Sequence, residues 1–159
     1  MNRNQITKEK VCAFYASDYH FEMMSLPYIN ERIEKNDEII VITENNLEDT
    51  ISNLISKMNL QESKKEKILN IDWKNNDLDK FKMIKDNLKN EKNSVIFIKG
   101  KANYIKNINE NIEKWTKDNT CAKVIDCYDI EEIGEDMNDV MKKYTKILNT
   151  SGEKNFQNF

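Results

Sequence analysis

The stretch "KVCAFYASDYHFE", Lys10–Glu22, decides how the rest of the chain is read. Its first half, Lys10–Ser17, is a short, continuous, β-prone run, the pattern of a strand buried on both faces. Beyond it Phe21, Met24, Tyr28, Ile29 and Ile33 recur at helical spacing. Pro27 falls inside that pattern, so the helix is expected to start near it or to kink there. A second apolar block, "EIIVITEN" at Glu38–Asn45, is the clearest strand of the chain. The opening stretch also gathers Cys12, two tyrosines, Asp18, the sole histidine His20 and Glu22, so it must be tested as a catalytic or metal site.

The alternation continues outward. Leu47, Ile51, Leu54, Ile55 and Met58 mark a second helix, with Asn45 or Asn46 available as its N-cap. "KILNIDW", Lys67–Trp73, reads as a short third strand, and Leu78, Phe81, Ile84, Lys85 and Leu88 as a helix with a narrower apolar face. "NSVIFIKG" (Asn93–Gly100) is a fourth strand, followed by a helix through Ile105, Ile108, Ile112 and Trp115. "AKVIDCYDI" (Ala122–Ile130) is a fifth, and Ile133, Met137, Val140, Met141, Tyr144, Ile147 and Leu148 fall on a long final helix. Five strand–helix repeats predict an α/β domain over residues 1–149: a mainly parallel sheet of about five strands with helices on both faces. Residues 150–159 read as a polar tail that frays.

Composition narrows the function classes. A chain of 159 residues is long enough for one domain with its own core. Its 25 basic and 28 acidic residues are intermixed, leaving a net charge of −3. That is a solvated surface rather than the basic stripe of a nucleic-acid binder. The lysine-rich Ser63–Lys67 reads as a loop or helix end. Three cysteines without a close pair argue against a disulfide framework. No stretch approaches membrane-spanning length and no N-terminal apolar run resembles a signal peptide, so a cytosolic protein is expected.

In a parallel α/β sheet, ligands bind beyond the C-terminal ends of the strands. That rule gathers Tyr15, Ser17, Asp18, Tyr19, His20 and Glu22 after the first strand and Thr43, Glu44 and Asn45 after the second. It adds Asp72 and Trp73 after the third, Lys99, Gly100, Lys101 and Asn103 after the fourth, and Tyr128 and Asp129 after the fifth. A P-loop needs glycines that bring backbone amides around phosphate and a Lys-Ser/Thr pair. Here Gly100-Lys101 is followed by Ala102, and no Gly-x-Gly occurs anywhere. For zinc, Cys12 and His20 lack the close ligand pairs such sites use, so Cys12 is expected to be a core residue and no metal or cofactor is expected. A thiol–histidine pair fails on reach, because a strand carries His20 away from Cys12. What remains is a polar rim with aromatic walls at Tyr15, Trp73 or Tyr128, suited to a small ligand.

The segment "VCAFYASDYHFEMMSLPYINERIEKNDEIIVITE" resembles the start of the methanogen/methylotroph sensory (MEDS) domain family, with Cys12, Tyr15, Glu22, Pro27-Tyr28 and Ile39–Ile42 at the corresponding places. "SVIFIKGKANY" is similar to the family's later strand with its terminal glycine. "AKVIDCYDIEEIGEDMNDVMKKYTKIL" resembles its closing strand and helix through Cys127-Tyr128-Asp129. Lys10 stands where the family has a first-strand histidine, and His20 is not a clear substitute. The resemblance implies a RecA/KaiC-like fold without a P-loop and a role in sensing small molecules. Output would pass to a partner such as a histidine kinase or a transcription regulator, or through self-association into a homodimer. A protein-interaction adaptor with a decayed pocket is the alternative. An enzyme ranks third, since it would need His20 or Glu22, Glu44, Asp72 and Asp129 to converge.

Overall fold

The computed structural model describes residues 10–156. Six strands form one sheet in the order β2-β3-β4-β1-β5-β6. They are β1 (Val11–Tyr15), β2 (Glu38–Thr43), β3 (Ser94–Gly100), β4 (Ala122–Asp129), β5 (Lys146–Asn149) and β6 (Gly152–Asn155). Every pairing is parallel except the terminal β5–β6 hairpin. The architecture is the expected mainly parallel α/β sheet, consistent with a Rossmann/RecA-like fold.

Strand residues alternate between two cores. Val11, Ala13 and Tyr15 of β1, with Val95, Phe97, Ile125 and Cys127, face α1 (Asp18–Glu34), α2 (Glu48–Lys57) and α3 (Glu62–Leu69). Cys12 and Phe14, with Ile96, Ile98 and Tyr128, face α4 (Asp77–Lys89), α5 (Ala102–Thr116), α6 (Ile130–Ile133) and α7 (Met137–Met141). All five residues of β1 are buried, as the apolar run required. Among the described residues no helix is long and apolar enough to cross a membrane.

Local chemistry sets the helix ends. The Ser17 hydroxyl accepts the His20 backbone N–H at 3.1 Å and starts α1, which then runs through Pro27 without restarting there. At α2 the N-cap is Leu47 rather than Asn45 or Asn46, and it makes no side-chain cap; Asn46, one residue earlier, accepts at its Oδ1 from Glu48 N at 2.8 Å.

Three expectations give way. Lys67–Trp73 is not a strand: Lys67–Leu69 closes α3, and a turn then buries Trp73, whose Nε1 donates to Ile68 O at 2.9 Å. Asn70 and Asp72 disfavour a strand, while "ESKKEKIL" contains good helix formers and buries only Ile68. The long final helix does not form either. Gly134, at φ +51°, ends α6, a single 3-10 turn and α7 follow, and Ile147 and Leu148 lie in β5. Their helical spacing is overridden by the free edge of β1, with which β5 pairs in parallel. Finally, Gly152–Asn155 is a strand rather than a frayed tail. The expected Phe159 end of that tail lies outside the described residues.

Candidate functional site

At the C-terminal rim, Asp18, Asn45 and Lys99 meet although they come from three separate strand ends. The register Thr43↔Lys99 sets β2 and β3 level, and Lys99, only 2% exposed, projects toward the start of α1. Its ammonium donates to Asp18 Oδ1 at 2.8 Å and Asn45 Oδ1 at 2.9 Å and lies 4.6 Å from the Tyr15 ring centroid. Asn45 Nδ2 closes the ring of contacts by donating to Asp18 Oδ2 at 2.8 Å. A lysine has three N–H donors, so two bonds and a ring face leave it little capacity for a ligand.

The neighbouring α5 N-terminus is also filled from within. Lys101 N donates to Glu44 Oε1 at 3.0 Å, and Ala102 N to Glu132 Oε1 at 2.9 Å. Helix N-termini attract anions, and here the protein's own carboxylates occupy the place a phosphate would take. Gly100 permits this closeness, since a Cβ there would stand 2.8 Å from both Glu44 Oε1 and Tyr104 Cδ2.

The remaining candidates disperse. His20 Nδ1 accepts from Ala16 N at 2.8 Å, and Asp129 caps α6 through Glu131 N at 3.0 Å. Asp72 accepts from Lys74 N in its own turn, and Trp73 is buried among core residues. Glu22, 1% exposed, accepts from the Thr50 hydroxyl, and burial raises its carboxyl above the ordinary range. With Tyr19 and Met23 it lines a cavity of about 500 Å³ between α1 and α2, whose lining does not include Lys99. Among the described residues no group of three or more His, Cys, Asp or Glu could hold a metal ion.

The larger space lies on the opposite face of the sheet. A cavity of about 790 Å³ runs between α5 and the α7 segment, reaching the rim at Ala102, Asn103 and Tyr128. Its floor is polar inside an otherwise apolar layer. Asp126, 7% exposed, accepts from Tyr144 Oη at 2.6 Å and from Asn109 Nδ2 at 3.1 Å. Tyr128 and Tyr144 hydrogen-bond through their hydroxyls, their rings edge to face at 6.1 Å, and Phe14 stacks behind Tyr128 at 5.9 Å. Burial raises the Asp126 carboxyl against the pull of those two hydrogen bonds, and pushes Tyr128 up to about 12. Cys12, beside Asp126 in register, is also pushed up to about 12, first by burial and then by that carboxylate.

Of the residues expected at a site, only Tyr128 and Asn103 reach this cavity. Asp126, Asn109 and Tyr144 were missed. One signal was available: Asp126 interrupts an apolar strand on the same alternate face as Val124 and Tyr128, and a buried carboxylate is rare. No signal in the chain announced Asn109 or Tyr144.

Fold and site together define an α/β domain with a closed polar rim and an open, polar-floored cavity beside it. No protein-family model, curated protein or solved structure matches this chain.

Proposed function

We propose that this protein is a non-catalytic sensory module of the cytoplasm. It binds a small molecule and passes its occupancy to a regulatory protein partner, such as a histidine kinase or a transcription regulator. The 790 Å³ cavity carries the reading. It falls in the size range of small-molecule sites and joins an apolar strip at Ile105, Val124 and Val140 to the convergent polar groups of its floor, with charged side chains such as Lys106, Glu110 and Lys143 also in its lining. The resemblance to the MEDS family agrees with a sensing role, and the engaged states of His20 and Lys99 supply no nucleophile–base pair. Val140 and Tyr144, on the segment that leads into β5, form one wall, so a ligand touches an element able to relay its presence.

The adaptor reading has one observation of its own: Tyr19 and Met23 are 62% and 40% exposed beside the smaller groove. A thermal-shift screen separates the two, since a ligand of the native state raises its melting temperature by mass action. Nucleotides, small metabolites, short hydrocarbon derivatives and divalent metals would be run on wild type, Val140→Trp and Glu44→Ala. The sensor reading expects a dose-dependent rise that Val140→Trp abolishes and Glu44→Ala retains. A screen without hits, or with hits indifferent to Val140→Trp, turns the weight to the adaptor.

A further inference from the structure

The polarity of the cavity floor specifies its ligand more closely than the volume does. Asp126 sits in β4 between Cys12 of β1 and Ile98 of β3, the least accessible part of the sheet. Its hydrogen-bond partners are a neutral amide and a neutral phenol. Those donors are neutral, and Lys10, which also lines the cavity, acts on the carboxyl through its charge; burial still outweighs all three, so a cation brought to the floor offsets what remains of the desolvation cost.

The other polar groups at the floor have the same sense. Asn109 spends its two amide hydrogens on Ile105 O and Asp126 Oδ1, so its carbonyl oxygen can only accept. Tyr144 donates its one hydroxyl hydrogen to Asp126, so Tyr128 must be the donor of the tyrosine pair. That leaves the Tyr128 oxygen as an acceptor. Carboxylate, amide oxygen and phenol oxygen are therefore all acceptors. The two tyrosine rings add faces that attract a cation.

Resting on the proposed small-ligand reading, we infer that this cavity binds a protonated amine carried on a small apolar body. The ammonium sits at Asp126 between Asn109 and the tyrosines, and the apolar body lies along Ile105, Val124 and Val140. Burial raises the Asp126 carboxyl above its ordinary range although Tyr144, Asn109 and the charge of Lys10 all pull the other way.

Calorimetric titration at neutral pH with phenethylamine, 2-phenylethanol and phenylacetate tests this directly. The three probes share one ring and differ in the charge of the head group. The inference expects phenethylamine to bind wild type at least tenfold more tightly than the alcohol, with the acid weakest. Asp126→Asn is expected to lose that tenfold advantage while leaving the alcohol's affinity unchanged. The amine-to-alcohol ratio is read in the wild-type protein, so it decides the matter even where Asp126→Asn fails to fold. Equal or tighter binding of the alcohol or acid overturns the amine assignment. If Val140→Trp still abolishes that binding, the cavity reading stands. No binding of phenethylamine up to millimolar concentration also overturns the assignment, and the broader screen then judges the sensor reading separately.

Discussion

Asp18 and Lys99 form an unequal pair: the lysine is 2% exposed at its side chain and the aspartate 38%. Removing the carboxylate leaves a buried ammonium with Asn45 and an aromatic face, whereas removing the ammonium leaves a carboxylate that water can reach. Asp18→Ala is therefore expected to cost about 2–3 kcal/mol, and Lys99→Met, which fills the same space with apolar atoms, under about 1 kcal/mol. Paired urea denaturation curves check the order, and a larger loss for Lys99→Met contradicts it. The cysteines divide in the same manner. Cys12 and Cys127 are buried and their thiols are raised, by burial first, while Cys121 is half-exposed. A chromogenic disulfide reagent is expected to modify one thiol quickly in the native protein and all three after denaturation. Rapid native modification of two or three would contradict this burial.

Glu153 ties the C-terminal hairpin to α1 and β4. Glu153 accepts from Tyr28 Oη and pairs with Lys123 at 2.7 Å, Arg32 at 3.5 Å and Lys146 at 3.7 Å. Burial opposes its ionisation, but Lys123 and Tyr28 outweigh it and hold the carboxyl below the ordinary 4.5. A carboxyl lowered in the folded state stabilises fully above its unfolded value and loses that contribution as pH falls through the folded one. Glu153→Ala is expected to cost about 2 kcal/mol at pH 7. The difference from wild type should shrink as the pH drops below 4.5. Melting temperatures of both proteins across that range measure it, and a constant gap would refute the role. Asp126 and Glu22 have the opposite sign. Their carboxyls are raised by burial, so ionising them costs stability as pH climbs above the ordinary carboxylate range.

Across the whole molecule the sheet grades from centre to edge. β3, β4 and β1 each pair on both sides and separate the two cores, while β6 pairs only with β5. Amide hydrogen exchange is expected to be slowest in β3, β4 and β1 and fastest in β6 and the short α7. Mass-spectrometric exchange on peptides covering these elements tests the order. Protection of α7 equal to that of β3 would contradict this grading. An α/β architecture alone assigns no function, so the argument rests on the cavity and its floor.

Apolar runs at Val11–Tyr15, Ile39–Thr43 and Val95–Ile98 and the apolar-rich Ala122–Tyr128, separated by helical periodicity, were enough to establish the four strands β1 to β4, parallel pairing and helices on both faces. Burial on both faces leaves a local trace in residue type, and the alternation of elements leaves few ways to connect them. The rim was half-legible for the same reason. Its residues follow strand ends, but their mutual satisfaction through Lys99 depends on the register of β2 against β3. Tertiary structure alone decided that Ile147 and Leu148 join the sheet, because an open strand edge outweighed their helical spacing. It alone placed Asn109 and Tyr144 around Asp126 as well. Periodicity records how deeply a residue is buried, whereas the partner it meets there is set by chain segments distant in sequence.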